Sequence, residues 1–139
     1  MRPITVILTL LGSSSLHAAD LCRDLETTSE SNACWHQEVG TSQQRLDEYL
    51  GAARERAVST SGIPADAFDN AQAAWTKYKE LHCSNVRRRW GSATVAAAKA
   101  ASCVVDLNDQ RAHDLWKSYL TYADRTAPIR PEPVLRPGK

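Results

Sequence analysis

The chain has 139 residues, with 17 basic and 16 acidic side chains and a formal net charge of +1 at pH 7. This length suits one domain with one modest core, and the balanced charge argues against the strongly basic surface of a nucleic-acid-binding protein. After the N-terminal segment no apolar stretch is long enough to cross a bilayer, so we expect no membrane anchor.

Residues 1–19 have the pattern of a secretory signal peptide. Arg2 supplies a short positive region, residues 4–11 are apolar, and small residues lead to a cleavage site near Ala19. The residues before Cys22 lack the small-residue run of a lipoprotein signal, so we expect no lipid anchor on its sulfur. The pattern predicts a protein that is exported to the periplasm or secreted.

The first predicted helix begins near Thr27 and ends near Ser59. Thr27 and Glu30 have the spacing of a capping box, and apolar residues follow at helical intervals. Residues 59–64 have the composition of a turn, and Pro64 suits the first position of the next helix.

The second predicted helix covers about residues 65–90, and no proline or glycine interrupts it before Gly91. Apolar and aromatic side chains recur along it in steps of three, four and one residues, which places them on one broad face. We expect that face to be buried in the core. Its members are Phe68, Ala71, Trp75, Tyr78, Leu81 and His82.

The third predicted helix has Ser92 as its N-cap and continues through an alanine-rich segment toward Ala123. Along it, apolar side chains recur every four residues, and Arg111 lies within this otherwise apolar stripe. Because a buried cation requires a partner, we expect Arg111 to pair with a carboxylate such as Glu38 or Glu80.

These elements predict an all-α fold, a small antiparallel bundle of three or four helices with disulfides. The helical domain is expected to occupy residues 20–126. Residues 127–139 contain four prolines in a short stretch, and this composition predicts a disordered tail rather than a packed element.

Four cysteines in an exported chain of this size favour disulfides over thiols. In a helical hairpin, residues at equal distances from the turn lie at the same level, and the midpoint of Cys83 and Cys103 falls in the predicted turn. We therefore favour that bond, which leaves Cys22 with Cys34, although four cysteines permit three pairings. The competing interpretation is a zinc site built from Cys34, His36, His82 and Cys83.

Three features occur together in this chain: the cysteines at positions 22 and 34, the segment AQAAWTKYKELHC at residues 71–83, and Cys103 followed eight positions later by an arginine. With these features the chain resembles the LprI-type lysozyme-inhibitor domain family over about residues 21–120. The resemblance implies a small exported helical domain of bacteria, named for a member that inhibits lysozyme. The family-pattern positions, which we expect in the core, are Gln72, Trp75, Tyr78 and Arg111.

If the resemblance extends to function, the chain inhibits a lysozyme by non-covalent occlusion of its cleft. Lysozymes of the animal class carry two catalytic carboxyl groups there, so an inhibitor can present cations to them. The candidate surface is the end of the second helix, which contains Arg87, Arg88, Arg89 and Trp90. The alternative for these arginines is structural, since basic residues in a last turn complement the helix dipole.

We expect neither enzymatic activity nor a cofactor, because the sequence contains no paired metal-binding histidines, serine-nucleophile motif or glycine-rich phosphate loop. A second functional class also fits an exported helical domain. It is an envelope interaction module without lysozyme inhibition, such as a secretion-system accessory protein, an immunity protein or a small-ligand binder.

Overall fold

The computed structural model describes Cys22 and residues 25–133. The predicted signal peptide and the last six residues of the predicted tail lie outside the described residues. The described chain consists of three α-helices and no strand: α1 (Thr28–Ser59), α2 (Ala65–Trp90) and α3 (Ala96–Leu115). A π-helical turn, Trp116–Leu120, continues α3. The all-α fold predicted from the sequence is confirmed.

α1 and α2 begin and end close to the residues that the sequence predicts, whereas α3 ends at Leu115 and its π-helical turn at Leu120, short of the predicted end near Ala123. The Thr27 hydroxyl accepts a hydrogen bond from the Glu30 N–H at 3.2 Å, and a Glu30 carboxylate oxygen accepts one from the Thr27 N–H at 3.1 Å. This capping box satisfies two N–H groups that have no partner within α1. Gly91 ends α2 with a φ of 55°, which favours glycine. α3 begins at Ala96 rather than after Ser92, because the chain first makes two turns.

The third helix packs against both of the others. α2 and α3 form an antiparallel hairpin, since Cys83 bonds to Cys103 while Gln72, nearer the start of α2, contacts Arg111 near the end of α3. The contact between α1 and α3 is the most extensive, and that between α1 and α2 the least. The predicted three-helix bundle is confirmed, and the described residues contain no fourth α-helix. None of the three helices combines the length and apolar character needed to cross a bilayer.

Two apolar clusters follow each other along the bundle. The larger contains Leu46, Tyr49, Ala53, Ala57, Phe68, Ala112, Leu115 and Leu120. The smaller contains Cys22, Trp35 and Val105. Between them lies a polar layer, in which the buried Asn108 donates to the Ser42 hydroxyl at 3.1 Å and Arg45 donates to the buried Asp109 carboxylate at 2.7 Å. Charge-assisted hydrogen bonds therefore join α1 to α3 between the two apolar regions.

The segment after the π-helical turn packs back against the bundle. The Tyr49 hydroxyl donates to the Pro131 carbonyl at 2.8 Å, and the Trp116 indole N–H donates to the Arg130 carbonyl at 2.9 Å. The expectation of disorder is therefore wrong for residues 127–133. A proline-rich segment lacks N–H donors but keeps its carbonyl acceptors, and two aromatic side chains of the bundle use those acceptors here.

Two glycines within α1 allow a test of helix propensity. Gly40 and Gly51 are exposed, and a β-carbon at either position would meet no heavy atom within 4 Å. We expect Gly40→Ala and Gly51→Ala each to raise the free energy of unfolding by about 0.5–1 kcal/mol in urea denaturation. Gly91→Ala serves as the opposite control and is expected to lower stability, because its φ is positive. A stabilising effect at Gly91 would contradict its assignment as the stop of α2.

Candidate functional site

The last turn of α2 presents three arginines and a tryptophan to solvent. Arg87, Arg88, Arg89 and Trp90, which we call the basic cluster, are all exposed, Trp90 by 41%. Arg88 donates to the side-chain oxygen of Asn85 at 3.3 Å. None of the ion pairs found among the described residues includes an arginine of this cluster. Its charges therefore face solvent, where an acidic partner can reach them.

The first turn of α3 adds a fourth cation beside the basic cluster. Lys99 Nζ lies 5.2 Å from the centroid of the Trp90 ring, in a cation–π contact. The turn after Gly91 reverses the chain and brings the two side chains together. We did not predict a role for Lys99. The signal that identifies it is its place in the first turn of α3, across the chain reversal from the last residue of α2.

A disulfide ties the basic cluster to α3 from about one helical turn away. Cys83 bonds to Cys103 and Cys22 bonds to Cys34, which confirms both predicted pairings. The alternative zinc site is wrong, because both of its cysteines are used in these bonds. In the described part of the chain, no group of histidine, cysteine, aspartate and glutamate side chains is arranged to hold a metal ion.

α2 is rotated about its axis relative to the prediction. Tyr78 and Leu81 are 52% and 55% exposed, and Ala71 and His82 are also exposed. The expectation that these four side chains lie in the core is wrong. The face that packs inward contains Phe68, Gln72, Trp75, Lys79 and Cys83. Both of its polar members, Gln72 and Lys79, have hydrogen-bond partners on α3.

Two cations lie near the Trp75 ring on the inward face of α2. The Arg111 guanidinium lies 5.6 Å from the centroid of the indole, and Lys79 Nζ lies 5.0 Å from it. Arg111 Nε also donates to the side-chain oxygen of Gln72 at 3.1 Å. The glutamate ion pair expected for Arg111 is therefore wrong, because an amide and an aromatic ring interact with the guanidinium instead. Three of the four family-pattern positions meet in this contact, whereas Tyr78 takes no part in it.

The two cations around Trp75 are partly removed from water. Burial lowers the pKa of both Lys79 and Arg111, because the charged form of each loses hydration. Lys79 Nζ donates to Asn108 Oδ1 at 2.8 Å and to Gln43 Oε1 at 3.1 Å, which joins α2 to both other helices. We did not predict this hydrogen-bonded group. These contacts support a structural role for the inward face of α2.

The basic cluster is suited to recognition of an acidic protein surface. Guanidinium groups form bidentate hydrogen bonds with carboxylates, and an exposed indole offers a large, rigid contact area. Arginine and tryptophan are also enriched among the side chains that dominate binding free energy at protein interfaces.

Away from the cluster, His113 contacts Glu132 at 3.1 Å and thereby helps to anchor the C-terminal segment.

Comparison with known proteins identifies the family. The family model described as Lysozyme inhibitor LprI matches residues 22–115, more than half of the chain. The matched region includes all three helices, both disulfides and the basic cluster. No curated protein and no solved structure matches the chain. The match to the family model over this length shows that the chain belongs to the LprI family of lysozyme inhibitors.

Proposed function

We propose that this chain is an exported protein that inhibits a lysozyme by binding non-covalently across its cleft. Membership of the LprI family supports a lysozyme as the partner. The observation that carries the proposal is the basic cluster, which is exposed and forms no ion pair with the described carboxylates. Two disulfides in a small domain support an oxidising location, the periplasm or the outside of the cell.

Charge complementarity gives the proposed interaction its physical basis. The cleft of an animal-class lysozyme carries two catalytic carboxyl groups that act on its substrate. Arginines that enter such a cleft form charge-assisted hydrogen bonds with those groups, and exclusion of water from the contact strengthens the attraction. Occupancy of the cleft is then sufficient for inhibition. The inhibitor contributes binding surface and performs no chemistry.

A structural role of the basic cluster must be distinguished from a role in binding. Positive side chains in the last turn of α2 interact favourably with the helix dipole, which is worth about 0.3–1 kcal/mol for an exposed group. That interaction affects stability alone. Stability and inhibition measured on the same variants therefore distinguish the two roles.

We expect the triple variant Arg87→Ala, Arg88→Ala, Arg89→Ala to inhibit a lysozyme at least about tenfold more weakly than the wild type. The assay measures the clearing of a peptidoglycan suspension by each of a panel of lysozymes. The control variant replaces three cations distant from the basic cluster with alanine and lowers the net charge equally. Its positions are Lys117, Arg125 and Arg130.

The control variant is expected to keep wild-type inhibition, because its cations lie outside the proposed interface. Inhibition by the wild type should also weaken as the salt concentration rises, since salt screens charge attraction. Unchanged inhibition by the arginine variant, with circular dichroism showing an intact fold, would show that the basic cluster does not bind lysozyme. A wild-type protein that inhibits no lysozyme in the panel would refute the proposed function.

A further inference from the structure

One face of α2 carries large apolar side chains that no described part of the chain covers. Tyr78 and Leu81 are more than half exposed, and Ala71 and Ala74 lie beside them in steps of three and four residues. These four residues form what we call the outward face. The inward face of α2, which contacts α3 through Trp75, lies on another side of the helix.

The outward face continues into two arginines of the basic cluster. Arg88 follows Leu81 by seven residues and Arg89 follows Tyr78 by eleven, which are about two and three turns of an α-helix. These intervals place the two arginines on the same side of α2 as the apolar residues. The side of one helix therefore presents an apolar middle and a cationic end, roughly 10–16 Å apart along the axis.

The aromatic side chain of the outward face contacts a second ring on α2. The Tyr78 ring stacks on the His82 imidazole, with ring centroids 5.4 Å apart and an interplanar angle of 22°. A stacking contact of this kind favours the Tyr78 rotamer that makes it. Less side-chain entropy is then lost when the ring is buried in an interface.

We propose that the outward face and the basic cluster form one continuous surface that binds the lysozyme. This inference rests on the proposed function and extends it by assigning a second, apolar half to the interface. In an animal-class lysozyme one of the two catalytic carboxyl groups lies against an apolar wall, so the cleft offers apolar and acidic surfaces side by side. Along α2 the apolar residues are followed by cationic ones, so they complement the apolar wall and the acidic groups of the cleft.

The size of the outward face favours this partner over a second copy of the chain. A stable protein pair buries roughly 800 Å² on each partner. Two large apolar side chains on one helix face provide only a fraction of that area, so the interface must include neighbouring residues. Next to them lies the basic cluster, and its charge requires an acidic partner surface.

The double variant Tyr78→Ala, Leu81→Ala tests this inference. Isothermal titration calorimetry with a lysozyme that the wild type inhibits is expected to show binding weakened by roughly tenfold to a hundredfold. The matched control, Tyr122→Ala with Ile129→Ala, removes a tyrosine and an aliphatic side chain that are 42% and 48% exposed elsewhere. The control is expected to bind within about twofold of the wild type, since scattered contacts outside an interface contribute little.

The outcomes separate this inference from the proposed function. If the arginine variant loses inhibition while the Tyr78 and Leu81 variant binds like the wild type, the extended surface is wrong and the proposed function stands. If sedimentation shows a wild-type dimer that this variant converts to a monomer with full inhibition, a second copy covers the outward face and the inference is overturned. If the wild type binds no lysozyme, both proposals fail.

Discussion

Replacing Cys83 and Cys103 together by serine is expected to lower the free energy of unfolding by about 3 kcal/mol. The bond joins residues 20 apart in the sequence, and it restricts the unfolded chain by closing that loop. A loss of this size is large beside the roughly 5–15 kcal/mol that stabilises a natural domain. Urea denaturation of the variant and of the oxidised wild type measures the difference.

The same variant is expected to inhibit lysozyme more weakly at temperatures where it remains folded, because the lost bond holds the end of α2 against α3. The matched control replaces Cys22 and Cys34 by serine, which removes the bond at the start of the domain. We expect the control to lose about 2–3 kcal/mol of stability and to keep its inhibition while folded. Equal inhibition by the two folded variants would contradict a role for the α2–α3 bond in presenting the basic cluster.

Trp75→Ala is expected to lower stability and Tyr78→Ala to weaken inhibition, although the two positions are three residues apart on one helix. Trp75 packs against the larger apolar cluster and has two cations near its ring. Its removal is expected to lower the free energy of unfolding by about 2–3 kcal/mol, with unchanged inhibition by the folded protein. Tyr78 is exposed, so its removal is expected to cost less than about 0.5 kcal/mol.

Urea denaturation measures the stability of the two single variants, and the peptidoglycan assay measures their inhibition. Tyr78→Ala is expected to weaken inhibition, because the tyrosine belongs to the proposed binding surface. The orientation of α2 would be wrong if Tyr78→Ala were the more destabilising substitution. A loss of inhibition confined to folded Trp75→Ala would instead assign the lysozyme contact to the inward face.

The three helices, and the ends of α1 and α2, were predictable because their signals are local. The capping box at Thr27 depends on two side chains within one turn, and the stop at Gly91 depends on a backbone conformation that favours glycine. The bond between Cys83 and Cys103 was predictable from the level of each cysteine in a helical hairpin, and the bond between Cys22 and Cys34 was the pairing that remained.

The orientation of α2 was not predictable from apolar spacing alone. Tyr78 and Leu81 made one face the more apolar, yet the helix buries a face that includes Gln72 and Lys79. The partners of those two polar side chains lie 39 and 29 residues away on α3. Hydrogen bonds over such separations depend on the tertiary arrangement, so the spacing of residues along α2 cannot show them.

The packed C-terminal segment was missed for a related reason. Its prolines predict an extended backbone, and that prediction says nothing about whether the bundle supplies donors for its carbonyl groups. Tyr49 and Trp116 supply them, from α1 and from the π-helical turn. The basic cluster, in contrast, was predictable as a set because its four residues are consecutive, whereas Lys99 joins it only through the chain reversal.

Hydroxyl-radical footprinting of the inhibitor, alone and bound to a lysozyme, tests most directly whether the end of α2 is the binding surface. Mass spectrometry then reports the oxidation of each exposed aromatic side chain. The account predicts that lysozyme protects Trp90 and Tyr78 and leaves Tyr122 as reactive as in the unbound protein. Protection of Tyr122 with unchanged oxidation of Trp90 and Tyr78 would contradict it.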